Sequence, residues 1–442
     1  MTHDLGVPRR TFIKSAAATG IGLAMSQRAR ALPLAGPNDK VVVGVMGLNG
    51  RGVVHARGFA RVPNVEVAYL CDVDSSVLEK SHAELSKVQQ KAAKGVSDFR
   101  RILDDKDVDA IVIATPDHWQ TAATILALKA GKHVYVEKPS GHNAHETELI
   151  VQAQQKYKCV VQIGTQQRSH DRSREIIQAI HGGAIGTPYL ARAWYANTRT
   201  SIGRGKSAPV PSNLDYELWQ GPAPRTPYRD NVIHYNWHWF WRWGTTEVCN
   251  NGTHEIDISR WALGVERPVT VSSVGGRFHF QDDWEMPDTQ EVCYEFAGGK
   301  TIIWQGTSCN GAKTHGRSRG TMILGTNGSV IMDRDGYSIY DLKGAVVKEN
   351  IGPKGDALSL SADDTATLVH SANFVDAIRT GATLHAPIEE GAKTVLLCHL
   401  GNIAQKFGRK LRIDAATGHI VGDNEAMRMW QRDYEPKWAP LV

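Results

Sequence analysis

Two groups of residues in this 442-residue chain have types and spacings that could do chemistry. The first is the turn Gly47-Leu48-Asn49-Gly50-Arg51-Gly52, which follows the apolar run Val41 to Met46, with Asp72 standing 20 residues beyond Gly52. A glycine-rich turn that opens a helix aims backbone N–H groups and the positive end of the helix dipole at a pyrophosphate. An acid at that distance, closing the next strand, accepts from the hydroxyls of a ribose. Asn49 stands where a strict G-x-G-x-x-G has its second glycine. Gly50 beside it supplies the close approach, and Asn tolerates left-handed backbone. Asp72 repels a 2′-phosphate, so the pattern favours NAD; Arg51 inside the turn leaves NADP open.

The second group is His234-Tyr235-Asn236-Trp237-His238-Trp239-Phe240-Trp241-Arg242-Trp243, with tryptophan at every second position. In an extended segment all four would share one side, and flat rings interleaved with His and Arg suit stacking on a sugar, with Trp237, His238 and Trp239 as candidate contacts. A buried strand that only packs a sheet is the alternative. Two further patterns carry less. Gly316-Arg317-Ser318-Arg319-Gly320 fits G-x-S-x-G but precedes a strand instead of joining strand to helix, against a nucleophile elbow. His234 and His238 are four apart without a carboxylate cluster, so no metal is expected.

The elements that must position these residues are legible from periodicity. Short apolar runs at Val41 to Met46, Val65 to Cys71, Asp109 to Ala114, His133 to Val136 and Val160 to Gly164 alternate with amphipathic stretches. That is the pattern of βαβ units on a parallel sheet, a Rossmann dinucleotide-binding domain over residues 38–166. Gln166 and Arg168 leave the last strand at its carboxyl end, where open α/β sheets bind ligands. From 167 to 442 a helix over Arg172 to His181 precedes six strands in succession: Tyr189 to Tyr195, Val269 to Phe280, Thr289 to Phe296, Thr301 to Ser308, Thr321 to Gly325 and Ser329 to Asp333. Helices near Thr365 to Arg379 and Glu390 to Lys406 follow. The second domain is therefore α/β with an open, largely antiparallel sheet, and such a sheet makes a homo-oligomer the expectation. Ser201 to Pro227 reads as a long loop over the site or an oligomer contact.

Strand-end sequences add a resemblance. Ala114-Thr115-Pro116-Asp117-His118, Gly131 to Pro139 with Glu137-Lys138-Pro139 at its end, and Asn250-Asn251-Gly252-Thr253-His254-Glu255-Ile256-Asp257 together resemble the Gfo/Idh/MocA oxidoreductases. The resemblance runs from Val41 past Gly408. It implies a lysine beside the nicotinamide, matched by Lys138, and an Asp-x-x-x-His pair at the substrate alcohol, matched at His254 but not at Asn250. An amide cannot take a proton, so Asn250 would hold a substrate hydroxyl. His254 would then be the acid–base group, and cationic Lys138 would orient the oxygen and stabilise the developing alkoxide. Thr115, Pro116, His118, Glu137 and Gln166 join the turn as implied cofactor contacts, although Asp117 and His118 could instead cap the helix after Pro116. Arg168 joins the substrate contacts.

Charge and the leader bound the rest. Residues 1–31 hold five basic side chains against Asp4, which leaves about +1 of the formal +5 for the remainder. A nucleic-acid partner is not expected. Pro8-Arg9-Arg10-Thr11-Phe12-Ile13-Lys14, the mild run Ser15 to Met25 and Ala29-Arg30-Ala31 read as a twin-arginine signal peptide with an A-x-A cleavage site, and hence a periplasmic protein without membrane insertion after processing. That route carries folded proteins, so a cofactor loaded before export would have to stay tightly bound and be restored in each cycle. The six cysteines read as buried thiols, with Cys293–Cys309 the one pairing considered. The expected activity is NAD(P)-dependent hydride transfer at a CH–OH carbon of a sugar, cyclitol or derivative. The alternatives are a redox-neutral, NAD-dependent glycoside hydrolase of the family 109 kind and a non-catalytic sugar-binding protein.

Overall fold

A computed structural model describes residues 40–352 and 365–442. The expected signal peptide and its cleavage site fall on residues 1–39, outside the described residues.

The first sheet has six parallel strands, β1 (Val41–Met46), β2 (Val65–Cys71), β3 (Lys94–Val96), β4 (Ala110–Ile113), β5 (His133–Val136) and β6 (Val161–Ile163), in the order β3-β2-β1-β4-β5-β6. The order reverses between β1 and β4, and this opens a crevice at the strands' carboxyl ends. β4 and β5 are buried on both faces apart from His133, as continuous apolar runs in a covered parallel sheet should be.

The second sheet has nine strands: β7 (Pro188–Ala196), β8 (Thr270–Gly276), β9 (Thr289–Glu295), β10 (Thr301–Thr307), β11 (Arg319–Gly325), β12 (Gly328–Met332), β13 (Gly336–Tyr340), β14 (Val346–Ile351) and β15 (Leu411–Arg412). Their order is β14-β13-β12-β11-β7-β10-β9-β8-β15, antiparallel throughout except for the β10–β7 pair. Periodicity missed the short β3 and β15 and the two strands β13 and β14. β14 is mostly exposed and lacks a buried apolar face. β8 stops at Gly276, short of the expected Phe280, where the Asp288 carboxylate takes the N–H groups of Phe278 and His279 at 2.8 and 3.1 Å.

The helix Gly252–Leu263 packs on β7, β10 and β11, and the helix Ile388–Phe407 packs on β8 and β9. Gly252 is needed there, because a Cβ would lie 2.7 Å from the Trp304 ring. The helix Thr365–Thr380 packs back onto the first domain, its Phe374 edge-on to Phe59 and Tyr135. Trp438, near the chain's end, packs with Trp119 and Phe99 of that domain. Later chain thus buttresses the dinucleotide half. No helix among the described residues is long and apolar enough to cross a membrane.

Trp304 is fully buried between the second sheet and its helix layer. Trp304→Ala should cost about 3–5 kcal/mol of stability, read as a lowered urea midpoint. An unchanged midpoint would mean that this layer is not the domain's core.

Candidate active site

A cavity of about 450 Å³ runs from the Gly47–Gly52 turn past Asp72, Thr115 and Glu137 to Lys138, Asn250, His254, Tyr195 and Arg319. Its dinucleotide end is built by local geometry. Gly47 and Gly50 have φ of 81° and 79°, which side chains rarely adopt. A Cβ on Gly50 would meet nothing within 4 Å, so the turn's outer surface is open. A Cβ on Gly52 would lie 1.7 Å from the Gly47 carbonyl, so loop and helix touch there; Gly52 serves this packing and does not line the cavity. The helix Arg51–Phe59 has no side-chain cap, which leaves N–H groups at its start for a ligand. Asp72, 8% exposed, accepts from Leu48 N at 2.7 Å and Asp74 N at 3.0 Å. A carboxylate has about four lone-pair sites, so the ribose can still be bound. Burial raises the Asp72 carboxyl, and those two N–H bonds pull against it. These features fit a bound dinucleotide.

Glu137 sits at the centre of that end. His55 meets its Oε1 at 2.7 Å, Arg51 donates at 3.1 Å and Gln166 at 2.7 Å. Burial pushes this carboxyl up, but His55 and Arg51 win and hold it well below the usual range. Arg51 is thereby drawn to Glu137 and also donates to Thr367 at 3.0 Å. Asn49, Thr115, Pro116 and Gln166 line the cavity as expected positions do. His118 does not. It is buried with Nε2 at 2.9 Å from the Trp219 carbonyl, and burial pushes it down to about 3. Its cofactor role is replaced by a packing one. Asp117 is no cap either, since its carboxylate accepts from Thr245 Oγ1 at 2.5 Å and lines the cavity.

At the other end three groups converge. Lys138, on the turn after β5, donates to the Asn250 carbonyl at 2.6 Å and to its Oδ1 at 3.2 Å. Burial lowers Lys138, with Glu137 and Asp117 resisting. Asn250 ends the helix Thr246–Asn250, and its amide reaches Glu247 at 3.3 Å. His254 lies in the first turn of Gly252–Leu263; its buried Nδ1 has no hydrogen-bond partner among the described residues. Burial, then Arg334, Arg319 and Lys138, hold it well below an ordinary histidine.

Two substrate candidates are corrected. Arg168 does not reach the cavity: its Nε and Nη2 grip Asp257 at 2.7 and 2.9 Å, fixing the helix that carries His254. The tryptophan segment is not extended but turns as a 3₁₀ helix over Asn236–Trp239, so its rings diverge. Trp237 and His238 line the cavity, stacked at 3.6 Å. Trp239 is buried against Trp284 at 3.9 Å, and Trp243 against Trp219. Sequence reasoning missed Tyr195, Arg199, Asn251, Arg319 and the buried Glu247. Arg199 and Arg319 come from the ends of paired strands more than 100 residues apart, with no local signal. The spacing of Glu247 before Asn250 and Asn251, three and four on a helix, was the one signal available.

All six cysteines are free thiols. His279, Asp288 and Cys309 bring donor atoms within 4.8 Å of one another, but Asp288 already accepts two backbone N–H groups and the Thr289 hydroxyl.

Fold and cavity define a two-domain oxidoreductase with an NAD-binding Rossmann domain. Residues 41–165 match the family model "oxidoreductase family, NAD-binding Rossmann fold", and residues 193–440 match "oxidoreductase family, C-terminal alpha/beta domain". The chain belongs to the Gfo/Idh/MocA oxidoreductase family. It is similar to the uncharacterized oxidoreductase YrbE of Bacillus subtilis, 28% identical over 66% of this chain and 74% of that one. It is 27% identical to a glycosyl hydrolase family 109 protein of Saccharopolyspora erythraea, over 40% of this chain and only 43% of that protein. Scyllo-inositol dehydrogenase from Lactobacillus casei, solved with NAD(H) and scyllo-inositol, shares the fold with a TM-score of 0.62 at 18% identity, over 86% of this chain and 100% of that one.

Asp117 generates a pH prediction. Burial raises it from 3.8 to about 7, so the folded state holds its proton more tightly than the unfolded chain. The stability it contributes is full below about pH 4 and is lost as pH rises through about 7. Asp117→Asn should remove that loss, narrowing the fall in melting temperature between pH 5 and 8. Parallel profiles for the two proteins would refute the shift.

Proposed function

We propose that this protein is an NAD-dependent dehydrogenase acting at a CH–OH carbon of a sugar, cyclitol or derivative, exported by the twin-arginine route with its cofactor tightly bound. The observation that carries the reading is the convergence of Lys138, Asn250 and His254 in the same cavity as the Gly47–Asp72 dinucleotide end. The Gly47–Gly52 turn and Asp72 would hold NAD there, and when bound it would supply the hydride acceptor or donor for the alcohol carbon. His254 lines the cavity and is neutral near pH 7, so its imidazole can take the alcohol proton. Lys138 places a positive charge beside the oxygen as negative charge develops on it. Asn250 fixes Lys138 through two acceptors and cannot itself carry the proton. Arg51 is taken up by Glu137, and Asp72 remains at the ribose position, which supports NAD over NADP.

The redox-neutral hydrolase reading has the family 109 relative in its favour. Such a hydrolase also oxidises and re-reduces a ring carbon, so Lys138 would serve either reading, and the relative's match covers less than half of each chain.

Denaturing extensively dialysed protein should release stoichiometric NAD(H), read by mass and absorbance. Protein that is empty and binds neither nucleotide would end both enzyme readings. Aryl glycosides should stay intact without added cofactor, and their cleavage would instead establish the hydrolase. For oxidation, kcat/KM should persist to pH values below 6.5, because His254 is held down by burial and nearby cations. Lys138→Met should cut kcat by about 10²–10³-fold. It should also move the acid limb upward, since one cation next to His254 is gone. An unmoved limb would show that His254 is not the titrating group.

A further inference from the structure

Beyond the reacting trio, the cavity wall is unusual in what it offers a ligand. Arg199 donates through Nε and Nη2 to Glu247 at 2.9 and 3.4 Å, through Nη2 also to Tyr195 Oη at 3.4 Å, and lies over the Trp239 ring at 4.8 Å. Its Nη1 has no hydrogen-bond partner among the described residues. Tyr195 Oη accepts from Asn197 at 2.6 Å as well as from Arg199, so its own proton points elsewhere. Arg319 lies over the Tyr195 ring at 5.4 Å, pairs with the buried Glu255 through Nε at 2.8 Å and Nη2 at 2.7 Å, and reaches Asn251 Oδ1 at 3.4 Å. Arg334 lines the same wall. Of the acceptors that answer Arg199 and Arg319, Asn251 lies on the cavity wall, whereas the carboxylates of Glu247 and Glu255 lie behind it. Glu247 is saturated by Asn250, Asn251, Arg199 and Ser308, and Glu255 is buried behind Arg319. His238, whose Nδ1 faces the Tyr235 carbonyl at 2.9 Å, and the reacting His254 are the neutral imidazoles on this side.

A neutral polyol presents one donor for every hydroxyl and needs acceptors in the wall. The open Nη1 of Arg199 and the Tyr195 hydroxyl, with Arg319 against the Tyr195 ring and the Lys138 ammonium nearby, make a donor side of the wall that suits a group that only accepts and carries negative charge. We infer that the substrate carries an oxyanion, a carboxylate on the sugar or cyclitol, seated against Arg199, Tyr195 and Arg319. The inference rests on the dehydrogenase reading for the ring chemistry, but its test does not depend on turnover.

The test is calorimetric binding to the purified protein with NAD present, using glucuronate, glucose 6-sulfate, glucose and myo-inositol, with NAD reduction followed in parallel. Glucuronate should bind on the order of 10-fold or more tighter than glucose and myo-inositol. Arg199→Lys, which keeps the charge but loses the fork, should erase most of that preference while retaining NAD binding. Tighter binding of the sulfate than of glucuronate would overturn the carboxylate assignment. A neutral sugar or cyclitol bound as well as the acid would overturn the inference and leave the dehydrogenase reading standing. Preferential acid binding without NAD reduction by any of the four would keep the inference while counting against that reading. No binding by any of them would overturn the inference.

Discussion

Glu247 carries a negative charge that the fold has taken out of water, and much of the substrate end is arranged around keeping it satisfied. Removing one partner from a buried charge costs several kcal/mol, so its donors are not free to drift. Those donors are Arg199 from the end of β7, Ser308 just after β10, and Asn250 and Asn251 from its own helix. Each also faces the cavity or touches a group that does. The carboxylate therefore acts as a hidden post: it never lines the cavity, yet it sets where the side chains that do so are held.

One tie between the two domains is a lysine at the reacting centre. Lys138 leaves β5 of the first sheet and ends on Asn250 of the second domain, at 2.6 Å from its carbonyl. Arg168 makes a second tie, from the crossing after β6 to Asp257 on the helix that presents His254. Glu137 meanwhile anchors the same turn to His55 and Arg51 of the dinucleotide-binding helix. The dinucleotide turn, the lysine and the histidine are thus connected by short, charge-assisted contacts, the kind that hold geometry best.

The first domain was largely legible because its signals are local. Apolar runs, the glycine turn and Asp72 lie within a few dozen residues, and each feature constrains backbone directly. The substrate wall was not. Arg319 faces Tyr195 only because β11 pairs with β7 in that register, which no local pattern encodes. Arg168 was misjudged because position at a strand end says nothing about a buried Asp257 waiting nearby. The tryptophan repeat misled for another reason. Alternation implies a shared face only if the chain is extended, and the segment turns over Asn236–Trp239 to bury its rings in separate clusters.

The departure at Asn250 follows from the same charge constraint. Its amide nitrogen lies 3.3 Å from Glu247 Oε1. An aspartate there would set two carboxylates in contact in a buried site, and one would have to keep a proton. Asparagine avoids this by donating to Glu247 through one end of the amide and accepting from Lys138 through the other. The negative charge that other members place beside the histidine is in this chain carried one helical turn earlier, where it holds Arg199. Burial, and then the cations around it, hold His254 well below an ordinary histidine with no carboxylate bonded to it, and an anionic substrate would bring it the counter-charge that the protein withholds.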